Sequence, residues 1–204
     1  MNKFKAFPPL QFSNVANGLT SLSLLFGFVS VLLLMEEYVF WAYACYVLVI
    51  LLDRLDGAVA RRLGQTTAMG KQLDSLADAL NFTLYPPLLF WLSFQPAMWT
   101  VPFMLLYLLS GVWRLGYFNL SGMRETNRDA YFIGVPTTVC ASWFVILLAA
   151  LSAVEASNQT QTLAISLYFL SAAVAMCSAL PYAKKGLATK SLYVLLPVAL
   201  WFLW

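Results

Sequence analysis

Residues 38–61 read YVFWAYACYVLVILLDRLDGAVAR. Fifteen uncharged, mostly apolar residues are followed abruptly by Asp53, Arg54 and Asp56. As a helix rising 1.5 Å per residue, this stretch is ~36 Å long, enough to cross a hydrocarbon core of ~30 Å. Asp53 and Asp56 are three residues apart and share one helical face. A short connection leads to the next apolar run, 72–94, which starts with Asp74 and Asp78, four apart and again on one face. An ionised carboxylate within a spanning helix costs on the order of 2.5–3.5 kcal/mol. Four of them cost roughly 10–14 kcal/mol, the scale of a whole domain's stability. Something must offset that cost, and a polar cavity with a bound cation does so. Two antiparallel neighbouring helices bring the pairs face to face. A site of carboxylates alone suits Mg²⁺, Mn²⁺ or Ca²⁺ rather than zinc or copper. Four carboxylates exceed what one Mg²⁺ needs, which leaves room for two ions or for one free base.

The rest of the chain fits the same solvent. Of 204 residues, 61% are hydrophobic and 10% charged, against ~45–50% and ~25% in soluble domains. The pattern predicts an all-α polytopic membrane bundle. Its six-helix core spans 17–35, 38–61, 72–94, 97–119, 132–154 and 161–182. A seventh run, 190–204, contains Pro197 and either crosses or lies partly in the membrane. Residues 1–13, with Lys3 and Lys5 between phenylalanines, suit a segment on the membrane surface. The reading is one integral-membrane domain over 1–204, without a cleaved signal peptide. No histidine is present, which excludes His-ligated zinc, haem and Ser-His-Asp or Cys-His catalysis. Cys45, Cys140 and Cys177 lie in apolar runs and read as small hydrophobes. A net charge of +3 gives no sign of a nucleic-acid partner.

Glu36, Glu37 and Glu155 fall in turns that contain no base, whereas all twelve lysines and arginines fall toward the opposite ends of the spans. The positive-inside rule makes the basic side cytoplasmic, and with it the N-terminus and the four aspartates.

The segment Asp53-x2-Asp56-Gly57-x2-Ala60-Arg61-x8-Gly70-x3-Asp74-x3-Asp78 resembles the signature of the CDP-alcohol phosphotransferase family at every fixed position. Other segments resemble its membrane-embedded phosphatidylserine synthase branch. These are Asn17, Thr20, Ser23 and Gly27 in the first span, Arg114-Leu-Gly-Tyr-Phe118-Asn119 after the fourth, Phe132-x-Gly134-x-Pro136, and Met176 to Lys185. Tyr117 stands where that branch has a second arginine, and Ala16 where a proline is common.

The resemblance implies transfer of a phosphatidyl group from CDP-diacylglycerol to serine, with release of CMP, in phospholipid biosynthesis. It implies two Mg²⁺ or Mn²⁺ ions held by Asp53, Asp56 and Asp74, with Asp78 shared or close by. With no histidine available, the base is a carboxylate or a tyrosine, and the family pattern puts it on Asp78. Asp56, Gly57, Ala60, Arg61 and Gly70 match positions around the CDP group. Asn17 and Thr20 either contact the cytosine or ribose or bond within the bundle. A serine carboxylate calls for a cation, and Arg114, with Asn119, is the expected acceptor contact. A homodimer is also implied. Glycerol 3-phosphate, inositol phosphate or another small alcohol are the rival acceptors. A cation transporter is the rival of a different class, but it calls for acids near mid-bilayer on broken helices.

Overall fold

The computed structural model describes residues 13–122, 124–125, 130–183 and 187–203. The expected surface segment lies outside these apart from Ser13. So do Arg128, Asp129, Lys184 and Lys185.

The chain is an all-α membrane helix bundle. Its helices are α1 (Val15–Met35), α2 (Val39–Arg62), α3 (Ala68–Asp78), α4 (Tyr85–Phe94), α5 (Val101–Ser121), α6 (Thr137–Ala153), α7 (Asn158–Cys177) and α8 (Leu187–Trp201). α1, α7 and α5 with its preceding turn are each long and apolar enough to cross a bilayer unaided. α2 is equally long, but the charges from Asp53 onward interrupt its apolar stretch. α3 and α4 form one continuous helix through the π-helical segment Ala79–Leu84. α1 packs along α2, α5 along α7, and α6 against α7 and α8. α8 has 15 residues, or ~22 Å of helix, and buries Leu192, Leu196 and Ala199.

The burial pattern is that of a protein in lipid. Leu25, Trp113, Leu120 and Val174 face outward, while Thr20, Ser23, Ser30, Asn81, Ser142 and Ser166 are buried. Inside hydrocarbon each buried hydroxyl needs a partner. Ser30 donates to the carbonyl of Ala42 at 2.7 Å, Ser142 to that of Thr138 and Ser166 to that of Thr162.

Two boundaries differ most from the sequence expectation. The fifth span begins at Thr137 rather than 132, and the sixth ends at Cys177 rather than 182. Residues before α6 and after α7 form a small antiparallel sheet of β1 (Arg124–Glu125), β2 (Ala130–Ile133) and β3 (Pro181–Ala183), in the order β1-β2-β3. Phe132 pairs with Tyr182 and Ile133 with Pro181. Pro136 holds an extended conformation at the N-cap of α6, so the helix cannot start earlier. Gly134 has a φ of +72°, and a β-carbon there would collide with the carbonyl of Met176. That close approach docks β2 on the end of α7.

The π segment follows from Tyr85-Pro86-Pro87. Two consecutive prolines remove the N–H groups that would bond the carbonyls of Phe82 and Thr83 in an α-helix. The Tyr85 N–H bonds Leu80, one residue further back than α geometry requires, which also leaves the carbonyl of Asn81 without its α-helical donor. Two buried tyrosines fill the gaps. Tyr46 of α2 donates to the Asn81 carbonyl at 2.8 Å, and Tyr107 of α5 donates to the Phe82 carbonyl at 3.0 Å. Gly27 and Gly111 let α1 and α5 close onto the segment, since a β-carbon at either would run into Tyr85 and Asn81 or into Thr83. Tyr46→Phe and Tyr107→Phe each leave a buried carbonyl unpaired and are expected to destabilise the fold by about 1–3 kcal/mol. An unfolding series in detergent with unchanged midpoints for both variants would contradict this.

Candidate active site

The α2–α3 turn sets the geometry. Arg61 and Arg62 occupy the last turn of α2, where cations complement the helix dipole. Gly64 takes a φ of +63°, and the Gln65 N–H reaches back to the carbonyl of Ala60 at 2.9 Å. This is a left-handed helix stop that favours glycine. The Thr67 side chain then caps α3 by accepting from the Gly70 N–H at 2.9 Å. The two helices therefore reverse within five residues, and the aspartates of α2 meet those of α3.

Carboxylate oxygens of Asp53, Asp56 and Asp74 all lie within 4.8 Å of one another, a group able to hold a metal ion. Asp78 touches Asp53, and its Oδ1 is buried with no hydrogen-bond partner among the described residues. An oxygen-only cluster with an orphaned buried carboxylate oxygen fits a hard divalent cation. Asp56, 3% exposed, accepts from the Thr20 hydroxyl at 2.6 Å. Thr20 Oγ1 also lies 3.2 Å from the Ala16 carbonyl, so the side chain bonds within the bundle where it meets Asp56.

Two cavities flank the cluster. One of about 420 Å³ is lined by Asn17, Thr20, Gly57, Ala60, Gly70 and Lys71, among others. Gly70 lacks a side chain where Asn17 of α1 approaches, since a β-carbon would lie 2.8 Å from Asn17 Oδ1. The Arg61 guanidinium folds back over Gly57, 3.4 Å from where a β-carbon would sit. The other cavity, of about 370 Å³, is lined by Asp53, Asp78, Arg114, Phe132, Thr137 and Tyr182, among others. Asp56, Gly57, Arg61, Asp74 and Phe118 line both.

The structure brings Asn17, Thr20, Asp56, Gly57, Ala60, Arg61 and Gly70 together on the first cavity. It does not bring Arg114 and Asn119 together. Asn119 lines the first cavity and accepts from Ser75 at 2.9 Å. Arg114 is buried on the second, its guanidinium 5.4 Å and 5.7 Å from the ring centres of Phe118 and Phe132. The two residues are five apart on α5 and so point in different directions. Sequence reasoning missed Lys71, Ser75, Thr137 and Tyr182. Of these only Lys71 carried a signal, as a base one residue after the signature glycine.

A lipid-embedded helix bundle with an acidic, metal-competent centre between two cavities defines the class of protein. The sequence pattern of CDP-alcohol phosphatidyltransferases matches residues 13–182, and the chain belongs to that family. It is 32% identical over 174 residues to a CDP-diacylglycerol–serine O-phosphatidyltransferase of Mycobacterium leprae (strain TN), covering 82% of this chain and 57% of the relative. It is 36% identical over 101 residues to a protein of the same name from Bacillus subtilis (strain 168), covering 47% and 53%. With one from Mycobacterium bovis it shares 34% over 139 residues, 65% of this chain and 48% of the relative. The chain thus spans about half the length of the curated relatives it matches.

Proposed function

We propose that the protein transfers the phosphatidyl group of CDP-diacylglycerol to the hydroxyl of L-serine, giving phosphatidylserine and CMP. The observation that carries this reading is the pair of cavities meeting at Asp56 and Asp74. A two-substrate transfer needs both reactants held on either side of the reacting phosphorus. The names of the relatives favour serine.

Asp53, Asp56 and Asp74 would hold Mg²⁺ or Mn²⁺. When bound, the cation supplies positive charge beside the diphosphate, where negative charge develops. Arg61 and Lys71 meet the diphosphate by charge-assisted hydrogen bonds. Gly57, Ala60 and Gly70 keep the first cavity open for the nucleotide, and Asn17 stands at its far wall. In the second cavity Arg114 faces the anionic end of the acceptor. The serine oxygen attacks the phosphatidyl phosphorus, the bond to the CMP oxygen breaks, and the hydroxyl proton passes to Asp78 Oδ1. The acyl chains remain in lipid. The gathering of bases at one end of the spans supports a cytoplasmic location for this chemistry.

The test is an acceptor panel. Purified protein receives CDP-diacylglycerol, Mg²⁺ and, in turn, serine, glycerol 3-phosphate or inositol phosphate, and CMP is measured. Release with serine alone supports the proposal. Release only with a phosphorylated alcohol contradicts the serine assignment and leaves the family intact.

A further inference from the structure

The N-terminus of α6 faces the second cavity, where Pro136, Thr137, Thr138 and Val139 all contribute to the lining. The first N–H groups of any helix have no partner within it. Here no side chain caps them, because Pro136 occupies the N-cap position. The Val139 and Cys140 N–H groups both turn back to the Pro136 carbonyl, and among the described residues no side chain caps those of Thr137 and Thr138. The positive end of a 17-residue helix is therefore directed at this space.

Two side chains point independently to a ligand. Thr137 is 1% exposed, and its Oγ1 has no hydrogen-bond partner among the described residues. Arg114 is 7% exposed, and its Nε is likewise unpartnered. A buried donor without an acceptor is costly, so such groups mark places where something else binds. The two are neighbours. The Thr137 methyl lies 3.6 Å from where a β-carbon on Gly111 would be, and Gly111 and Arg114 share a face of α5. Asp53 and Asp78 line the same cavity. The wall thus carries hydroxyl and guanidinium donors as well as carboxylates, and Arg114 lies close enough to Asp78 for their charges to interact.

Resting on the serine reading above, we infer that the N-terminus of α6 is the carboxylate subsite of the acceptor. Thr137 Oγ1, the N–H groups of Thr137 and Thr138 and Arg114 Nε hold the carboxylate. The ammonium and hydroxyl groups then face Asp78, which brings the hydroxyl to the base. A pocket that carries both donors and carboxylates selects a zwitterion. Ethanolamine leaves the donor group unsatisfied, and a phosphate dianion brings no cation to the acids.

Thr137→Val keeps the shape and removes only the hydroxyl. Because that hydroxyl has no partner among the described residues, the unfolding midpoint should not fall. The serine KM should rise about tenfold, the scale of one hydrogen bond to a charged group, with the KM for CDP-diacylglycerol unchanged. Thr137→Ser should restore serine binding. Two competitors separate the subsite from a general role in shape. Inhibition by 3-hydroxypropionate, which has the carboxylate but no ammonium group, should weaken about tenfold in Thr137→Val, and inhibition by ethanolamine should not change. An unchanged serine KM, or equal weakening of both inhibitors, overturns the inference. A wild-type protein that releases no CMP with serine fails before any variant is made, and overturns the serine reading together with this subsite.

Discussion

Asp78→Asn is expected to lower CMP release by about 10²–10⁴-fold, the usual contribution of a positioned general base. It should keep at least part of the stabilisation that divalent metal gives. Asp53→Asn, Asp56→Asn and Asp74→Asn are expected to lose both turnover and the metal response. The two outcomes separate because the three carboxylates within 4.8 Å of one another are those of Asp53, Asp56 and Asp74, while the unpartnered Oδ1 belongs to Asp78. Thermal unfolding in detergent reads the metal part directly. A ligand that binds only the folded state at 100 times its Kd stabilises by about 2.7 kcal/mol, so Mg²⁺ or Mn²⁺ should raise the wild-type midpoint. Without metal the Asp→Asn variants should be no less stable than wild type, since each removes one charge from a crowd of like charges. A chelated wild-type enzyme with full turnover would remove the metal from the scheme.

The second large effect is a crossing of two arginine variants. Arg114 lines only the second cavity, while Arg61 lines both and lies over Gly57. Losing one charge-assisted contact costs about 1.5–3 kcal/mol, or roughly 10- to 150-fold in affinity. Arg114→Ala should raise the serine KM by that factor and leave the KM for CDP-diacylglycerol nearly unchanged. Arg61→Ala should do the reverse. If Arg114→Ala weakens both substrates alike, Arg114 serves the nucleotide or the fold, and the division of the cavities fails.

The acid cluster was legible in the sequence for a simple reason. Charge in a spanning helix is costly enough to stand out, and spacings of three and four residues fix a shared face without any tertiary knowledge. Gly57 and Gly70 were legible as small residues, but their reasons were not. Gly70 answers to Asn17, 53 residues away. The Thr20–Asp56 bond likewise joins α1 to α2 across 36 residues, and a threonine in an apolar helix looks the same whether it bonds its own backbone or a neighbour. Thr137 gave no sign, because its significance lies in having no partner among the described residues, which only packing reveals. The sheet was missed for a related reason. Ala-Tyr-Phe-Ile at 130–133 reads as the start of an apolar span, and its strand partner lies some fifty residues on, at Pro181–Ala183. Asn119 was grouped with Arg114 because both follow one motif, but a separation of five residues turns them away from each other.

The most direct measurement follows both products at once. Purified protein in detergent or bilayer discs is given CDP-diacylglycerol and serine, with Mg²⁺ or after chelation, and CMP and the lipid product are quantified together. Phosphatidyl transfer at this site predicts equal amounts of CMP and phosphatidylserine with metal and neither after chelation. CMP formed without a matching serine-containing lipid, or equal yields with and without metal, would contradict it.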